Sequence, residues 1–386
     1  MRSIARIATW TWICFASATC AAQNSATAAS EPAVWHDPSP HTVQFIPVDK
    51  DVKLEVLDWG GSGRPLVFMA GLGDTAHVFD DLAPKLTPEY HVYGITRRGY
   101  GASSAPAVGG SAYSADRLGD DVLAVLDALK IERPVLVGHS IAGEELSSVA
   151  ARHPERVAGL VYLDAAYFYA FYSREAGAEN TTLDLTTLQR ALAKLQTFPP
   201  DYRALLDEML NEDLPAVESD LRAMQKQPAN GPPLRPQPEP PTAADYESYQ
   251  TWQAMEKRNL GFEMPEGELR QIHATTPEGH VGALTPRADV APAVVAGERK
   301  YTDIRVPVLA IFAVPHDPGL FYHSDPAALA AWEARDLKHT GTLVNAFEKG
   351  VSSARVVRLP YADHYVFFTN EADVLREMRA FIGGLS

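Results

Sequence analysis

One stretch constrains this chain more than any other: Pro134 to Ser147, which reads PVLVGHSIAGEELS. Val135, Leu136 and Val137 form the short apolar run that fills a buried parallel strand. Gly138 ends that run, and a helical pattern then continues to His153-Pro154. Ser140 therefore sits in the turn between a strand and a helix, with Gly138 two residues before it and Ala142 two after. A turn this tight leaves no room for large side chains at the flanking positions. It forces the central residue into a strained backbone conformation that exposes its hydroxyl, with the helix N-terminus beneath it. Ala142 is followed by Gly143, so the steric argument holds with alanine in the second small position.

The surrounding segments supply a sheet for this turn. Val43 to Ile46 and Lys53 to Trp59 predict a hairpin, Leu66 to Ala70 a buried strand, His77 to Leu86 a helix and His91 to Thr96 a further strand. Ala115 to Lys130 predicts an amphipathic helix with Leu118, Val122, Val125, Leu126 and Leu129 on one face. After the Ser140 turn comes the apolar strand Gly159 to Leu163, ending at Asp164. Alternating strands and helices give an α/β fold class, a doubly wound and mostly parallel sheet. From 167 to 303 the alternation stops, and helical patterns at Leu183 to Leu195, Tyr202 to Asn211 and Tyr246 to Lys257 follow one another. Pro228 to Pro241 holds seven prolines in fourteen residues, a stiff extended crossing. The sheet pattern resumes with Val306 to Val314 and Arg355 to Leu359, and a helix over Ala372 to Ile382 closes the chain. Residues 167–303 thus read as an inserted helical cap between two core segments, 43–166 and 304–386.

Met1 to Ala22 has the layout of an export signal: Arg2 and Arg6, an apolar Ile7 to Phe15, then small residues around Ala16-Ser17-Ala18. The apolar run is shorter than the ~20 residues of a spanning helix, so no stable membrane insertion is expected after cleavage. Lipid attachment at Cys20 is the other reading of this segment. Residues 23–42 read as a flexible lead-in. The expected location is periplasmic or secreted. Both cysteines, Cys14 and Cys20, fall inside the signal, which leaves the remaining chain without disulfide, thiolate nucleophile or thiolate metal site. A net charge of −15 over 386 residues excludes nucleic acid and anionic membrane as favoured partners. No cofactor and no metal are expected, and the oligomeric state stays open.

Acyl transfer by a serine needs an exposed hydroxyl, an imidazole, a carboxylate and two backbone donors for the oxyanion. Ser140 supplies the hydroxyl. His364, in Leu359-Pro360-Tyr361-Ala362-Asp363-His364, follows the last strand at the sheet edge where ligands meet parallel strands. Asp317 follows the strand before it and is the expected carboxylate. It stands one residue beyond the position that simple spacing favours, which His316 occupies, so Asp164 is kept as the alternative acid. The N–H groups of Leu72 and Ile141 are the expected oxyanion donors. Tyr167 and Tyr169, at the start of the cap, are candidate substrate contacts. Arg98 is expected to anchor loops through a salt bridge, and the oddly placed Glu144 or Glu145 to be buried against an arginine such as Arg98.

Three segments, Leu66 to Ser103, Ala115 to Tyr167 and Val306 to Ile382, together resemble the α/β-hydrolases. The Ser140 turn looks like that family's nucleophile elbow, supported by the Arg98 to Ser103 loop and the terminal His364. The resemblance implies the order Ser140, Asp317, His364 for the triad. Many relatives carry His-Gly where this chain has Ala70-Gly71, so whatever that histidine orders must be ordered here by another group. Epoxide hydrolases and haloalkane dehalogenases of the family use an aspartate at the elbow, whereas a serine implies an acyl-enzyme. The expected activity is cleavage of a small carboxylic ester or lactone. An aminopeptidase of the proline iminopeptidase type, with an acid from Glu263 to Glu268 holding the substrate ammonium, is the alternative; a non-catalytic binder on the same scaffold is the other.

Overall fold

A computed structural model describes residues 35–226, 239–319 and 325–386. The export signal, most of the lead-in and most of the proline-rich crossing lie outside the described residues.

Residues 37–386 form one compact unit around an eight-stranded sheet. The strands are β1 (Thr42–Asp49), β2 (Val52–Gly60), β3 (Pro65–Met69), β4 (His91–Ile95), β5 (Val135–His139), β6 (Gly159–Leu163), β9 (Val308–Ala313) and β10 (Ala354–Leu359). Their spatial order is β1-β2-β4-β3-β5-β6-β9-β10, antiparallel over β1, β2 and β4 and parallel from β4 to β10. Sequence dictates this division. β5, β6 and β9 are apolar on both faces and buried throughout, as strands covered by helices on both sides must be. β1 is an edge strand, with Phe45 exposed and a register shift after Pro47, which cannot donate to a ladder. β3 pairs with β4 on one side and β5 on the other, so the crossover direction reverses between β3 and β5. Ligands meet such sheets at the carboxyl ends beside that reversal.

Helices α1 (Ala115–Leu129) and α2 (Gly143–Arg152) pack on one face. Ser114 caps α1 by accepting the Arg117 N–H. The helix expected over His77 to Leu86 is instead two short 3₁₀ turns, Ala76–Phe79 and Ala83–Lys85. Pro84 lacks the N–H that a continuous α-helix would use there.

Between β6 and β9 lie α3 (Thr181–Leu195), α4 (Tyr202–Glu208), α5 (Leu214–Gln225), α6 (Tyr249–Leu260), α7 (Glu266–Ile272) and α8 (Val290–Gly297). This insertion also contains a two-stranded antiparallel sheet, β7 (His273–Thr275) with β8 (Val281–Leu284), which the helical reading did not include. The long α9 (Pro326–Gly350), unforeseen from sequence, separates β9 from β10; α10 (Val366–Thr369) and α11 (Glu371–Gly383) end the chain. Among the described residues no helix is long and apolar enough to cross a membrane.

The last part of the expected lead-in is packed, not loose. The Trp59 indole N–H donates to Ser39 Oγ at 3.0 Å, and the His41 side chain is buried.

Candidate active site

β5 delivers Ser140 in a left-handed conformation, φ +53°, which a non-glycine residue holds only where its surroundings enforce it. A Cβ on Gly138 would stand 2.7 Å from Leu146 Cδ1 and 3.2 Å from the Ala142 Cβ. Small residues at 138 and 142 are thus a steric requirement of the turn. Gly143 has a second role, since a Cβ there would meet the Ala165 carbonyl at 2.0 Å. Its absence lets the first turn of α2 press against the chain leaving β6, and that chain carries Asp164.

Asp164 ends β6, fully buried and itself left-handed at φ +49°. Its Oδ2 lies 2.6 Å from His364 Nδ1 and 2.9 Å from His316 Nε2. Its Oδ1 accepts the Tyr167 hydroxyl at 2.6 Å and the Ala313 N–H at 2.9 Å. Burial alone would raise the Asp164 pKa. The charge and hydrogen bond of His316, followed by those of His364, outweigh burial and hold the carboxyl well below its usual range. His316 is the counterpart. Burial works against its charge, yet Asp164 on one nitrogen and Asp336 on the other push its pKa up to about 10. His316 Nδ1 stands 3.2 Å from both Asp336 oxygens, the His316 N–H donates to the same carboxylate at 2.8 Å, and Thr340 Oγ1 steadies it at 3.0 Å. Asp164 is an anion between two imidazoles.

The structure does not bring Asp317, the carboxylate expected from sequence, to His364; the one it brings there is Asp164, the alternative. His316 extends β9 by one bridge to Ala362, with its side chain turned toward Asp164. Successive side chains of an extended strand point to opposite faces, so Asp317 turns the other way. Its Oδ1 accepts the Gly319 N–H at 2.8 Å and closes a local turn. The Tyr167 hydroxyl donates to Asp164 at 2.6 Å and stands 3.4 Å from His316 Nε2. Tyr169 is buried, and its phenol reaches the Ser140 side chain.

On the other side of Ser140, Met69 of β3 pairs with Gly138 of β5, so the Leu72 turn and Ile141 lie at neighbouring strand ends. Ile141 belongs to the first turn of a 3₁₀ helix, Ser140–Ala142, where backbone N–H groups lack intrahelical partners. The group that orders the Leu72 turn is Arg97. Its guanidinium donates to the Ala70 carbonyl at 2.9 Å and the Gly71 carbonyl at 3.0 Å. Glu145 holds that guanidinium through bonds of 2.6 and 3.0 Å. Of the two glutamates expected to meet an arginine, Glu145 does so, with Arg97 in place of Arg98; Arg98 anchors its loop to Asp121 with two bonds of 2.6 Å. Among the described residues the wholly buried Glu144 finds no hydrogen-bond partner, and burial pushes its pKa far up.

Two further groups escaped the sequence reading. His139 lies under the base, its ring 4.7 Å from that of His364, and its Nε2 contacts the His364 carbonyl at 3.2 Å. Burial, then the His364 charge, pushes its pKa well down, so it is a neutral ring donating to that carbonyl. Asp74, just after Leu72, receives the Tyr365 hydroxyl at 3.0 Å. Burial raises its pKa to about 6 against the pull of Tyr365 and His364. The cap reaches this turn through Glu268 of α7, which accepts the Thr75 N–H at 2.9 Å and the Thr75 hydroxyl.

Residues 64–371 match the α/β hydrolase fold family. The chain belongs to that family. Epoxide hydrolase A of Mycobacterium tuberculosis is 29% identical over 184 residues, 41% of this chain and 56% of the relative. The 3-oxoadipate enol-lactonase 2 of Acinetobacter baylyi is 32% identical over 118 residues, 30% of this chain and 43% of the relative. The chain thus aligns with less than two thirds of either relative's length. Among solved structures, E-2-(acetamidomethylene)succinate hydrolase superposes with a TM-score of 0.54 over 89% of this chain and 100% of that one, at 20% identity. That likeness concerns the fold. In this α/β-hydrolase the carboxylate that contacts His364 follows β6, and His316 faces it from the end of β9.

Proposed function

We propose that this protein is a serine hydrolase that cleaves a carboxylic ester or lactone through an acyl-enzyme on Ser140. The observation that carries the reading is the 2.6 Å contact of Asp164 Oδ2 with His364 Nδ1, at the sheet edge where β5 delivers Ser140. That bond fixes the tautomer and leaves His364 Nε2 to take the Ser140 proton. Ser140 Oγ then attacks the carbonyl carbon, and the oxyanion is held by the Leu72 and Ile141 N–H groups. Collapse expels the alcohol oxygen with the proton from His364, giving the acyl-enzyme. A water deprotonated by His364 attacks next, and the acid leaves as Ser140 recovers its proton. The lactonase name of one relative, a ring-ester hydrolase, agrees with this substrate class.

The aminopeptidase reading asks for an available acid between Glu263 and Glu268. Glu268 is fully buried on Thr75, while Glu266 and Glu263 pair with Arg270 and Lys257. Esters are therefore preferred over aminoacyl arylamides. Export remains our reading of Met1 to Ala22.

The test is a panel of fluorogenic acyl esters and lactones with the purified protein and with Ser140→Ala. Wild type should turn over esters and react with a fluorophosphonate. The variant should lose at least about 10⁴-fold in kcat and all labelling. Full ester turnover by Ser140→Ala would overturn the acyl-enzyme.

A further inference from the structure

Away from Ser140, a second group of ionisable side chains gathers where the lead-in, the 3₁₀ turn after β3 and the cap meet. We propose that Asp37, His41, His77 and Asp80 bind one divalent transition-metal ion, of which Zn²⁺ is the best match. Each offers one donor atom, and these atoms lie within 4.8 Å of one another. His77 Nδ1 is 3.0 Å from Asp80 Oδ2 and 3.2 Å from Asp37 Oδ2, and His41 Nδ1 is 3.1 Å from Asp80 Oδ1. Four ligands at Zn–N and Zn–O distances of about 2.0 Å in a tetrahedron stand roughly 3.3 Å apart. Three contacts of the cluster, at 3.0 to 3.2 Å, already have nearly that spacing, and the four donor atoms all lie within 4.8 Å of one another. Two imidazoles with two carboxylates are borderline donors, which suit zinc rather than calcium or magnesium.

Two independent observations point to a ligand here. His41 Nδ1 and Asp80 Oδ1 belong to side chains only 3% and 4% exposed, and neither has a hydrogen-bond partner despite their close approach. Without a metal their 3.1 Å contact is an ion pair off the hydrogen-bond direction, and an ion held between them would satisfy both atoms. The second observation is Gly267 of α7. A Cβ there would come within 2.5 Å of Asp37 Oδ2, 2.7 Å of Asp80 Oδ2 and 3.2 Å of His77 Nδ1. Only glycine lets the cap lie over the cluster and leave its donor atoms clear.

The surroundings are also those of a metal site. Asp37 Oδ1 accepts the Ser39 N–H at 2.9 Å, which leaves Oδ2 for the ion. With His77 Nδ1 as ligand, its Nε2 lies 3.3 Å from the Gln271 amide of α7 and, farther off at 3.7 Å, faces Glu55 Oε1, which Thr96 Oγ1 fixes at 2.8 Å. An outer carboxylate behind a ligating histidine is a usual support. The ligands come as an i, i+4 pair and an i, i+3 pair 36 residues apart, a spacing that marks no contiguous motif. Bound there, beneath Gly267 of the cap, the ion would fasten the lead-in to the turn after β3. It takes no part in the chemistry at Ser140, so this inference stands or falls separately from the proposed activity.

The experiment uses untagged whole protein, stripped with a chelator, dialysed, and titrated with Zn²⁺ and in parallel with Co²⁺. One equivalent of zinc should be retained by elemental analysis, Tm should rise with zinc concentration, and Co²⁺ should give the visible absorption of a tetrahedral site. His41→Gln and Asp80→Asn should each weaken zinc binding by at least about 100-fold and abolish the Co²⁺ spectrum. Far-UV circular dichroism and a cooperative urea transition of both metal-free variants report that they fold. Overturning results are a wild type that retains no zinc after dialysis, the cluster then being a metal-free ion-pair network, or folded variants that bind zinc as wild type does.

Discussion

The loops after β6 and after β9 each begin with an aspartate in reach of the sheet edge, yet only one is turned to the base. Asp164 leaves β6 in a left-handed conformation that brings its carboxylate against His364. Asp317 lies one residue beyond the position from which a β9 side chain faces the site, and that position holds a histidine. The difference teaches that side-chain parity, not proximity in sequence, assigns the acid. A strand prolonged by a single bridge exchanges which of two adjacent residues looks inward. The β9 loop has not lost its part in the site, since it supplies the charge opposite Asp164.

The sharpest separation of the two loops is the pair Asp164→Asn and Asp317→Asn, assayed on the best ester found. Asp164→Asn should lower kcat by about 10⁴-fold, the loss expected when a triad histidine is held in the wrong tautomer. Asp317→Asn should stay within roughly threefold of wild type, since it changes one turn bond. The reverse order would restore Asp317 as the acid.

His316→Gln comes next, because it removes one partner of a buried charge pair. Urea unfolding at pH 6 should show a loss of about 3 kcal/mol. His316 is raised from an ordinary value near 6.5 to about 10, so its contribution to stability is complete below ~6.5 and is lost as pH climbs toward 10. The gap between wild type and variant should therefore narrow with rising pH, by up to ~1.4 kcal/mol per unit. A constant gap from pH 6 to 9.5 would mean that His316 is neutral. Tyr167→Phe is the smaller change, removing a single 2.6 Å bond to Asp164. It should cost about 2 kcal/mol in the same assay, and an unchanged midpoint would show that the phenol does not support the acid.

The sheet was legible because buried parallel strands are written as apolar runs, and the Ser140 turn because its sterics demand small residues at fixed offsets. His364 was legible for a topological reason, since it follows the last strand. The acid was not, because Asp164 and Asp317 both end apolar runs and the sequence does not print where strand pairing stops. Arg97 and Arg98 are adjacent and chemically identical, so pattern alone could not say which would face Glu145. The cap's hairpin, β7 with β8, spans only three and four residues, too short for a period to register. The cluster at Asp37 and His77 was hidden because burial of the lead-in comes from tertiary contacts such as that of Ser39 with Trp59.

The hold of Glu268 on Thr75 joins α7 to a segment three residues from Leu72. Under the proposed chemistry, a substrate large enough to wedge the insertion outward would also drag the Leu72 turn out of line. Bulk would then be penalised in turnover more than in affinity, and the insertion would act as a gauge of acyl size.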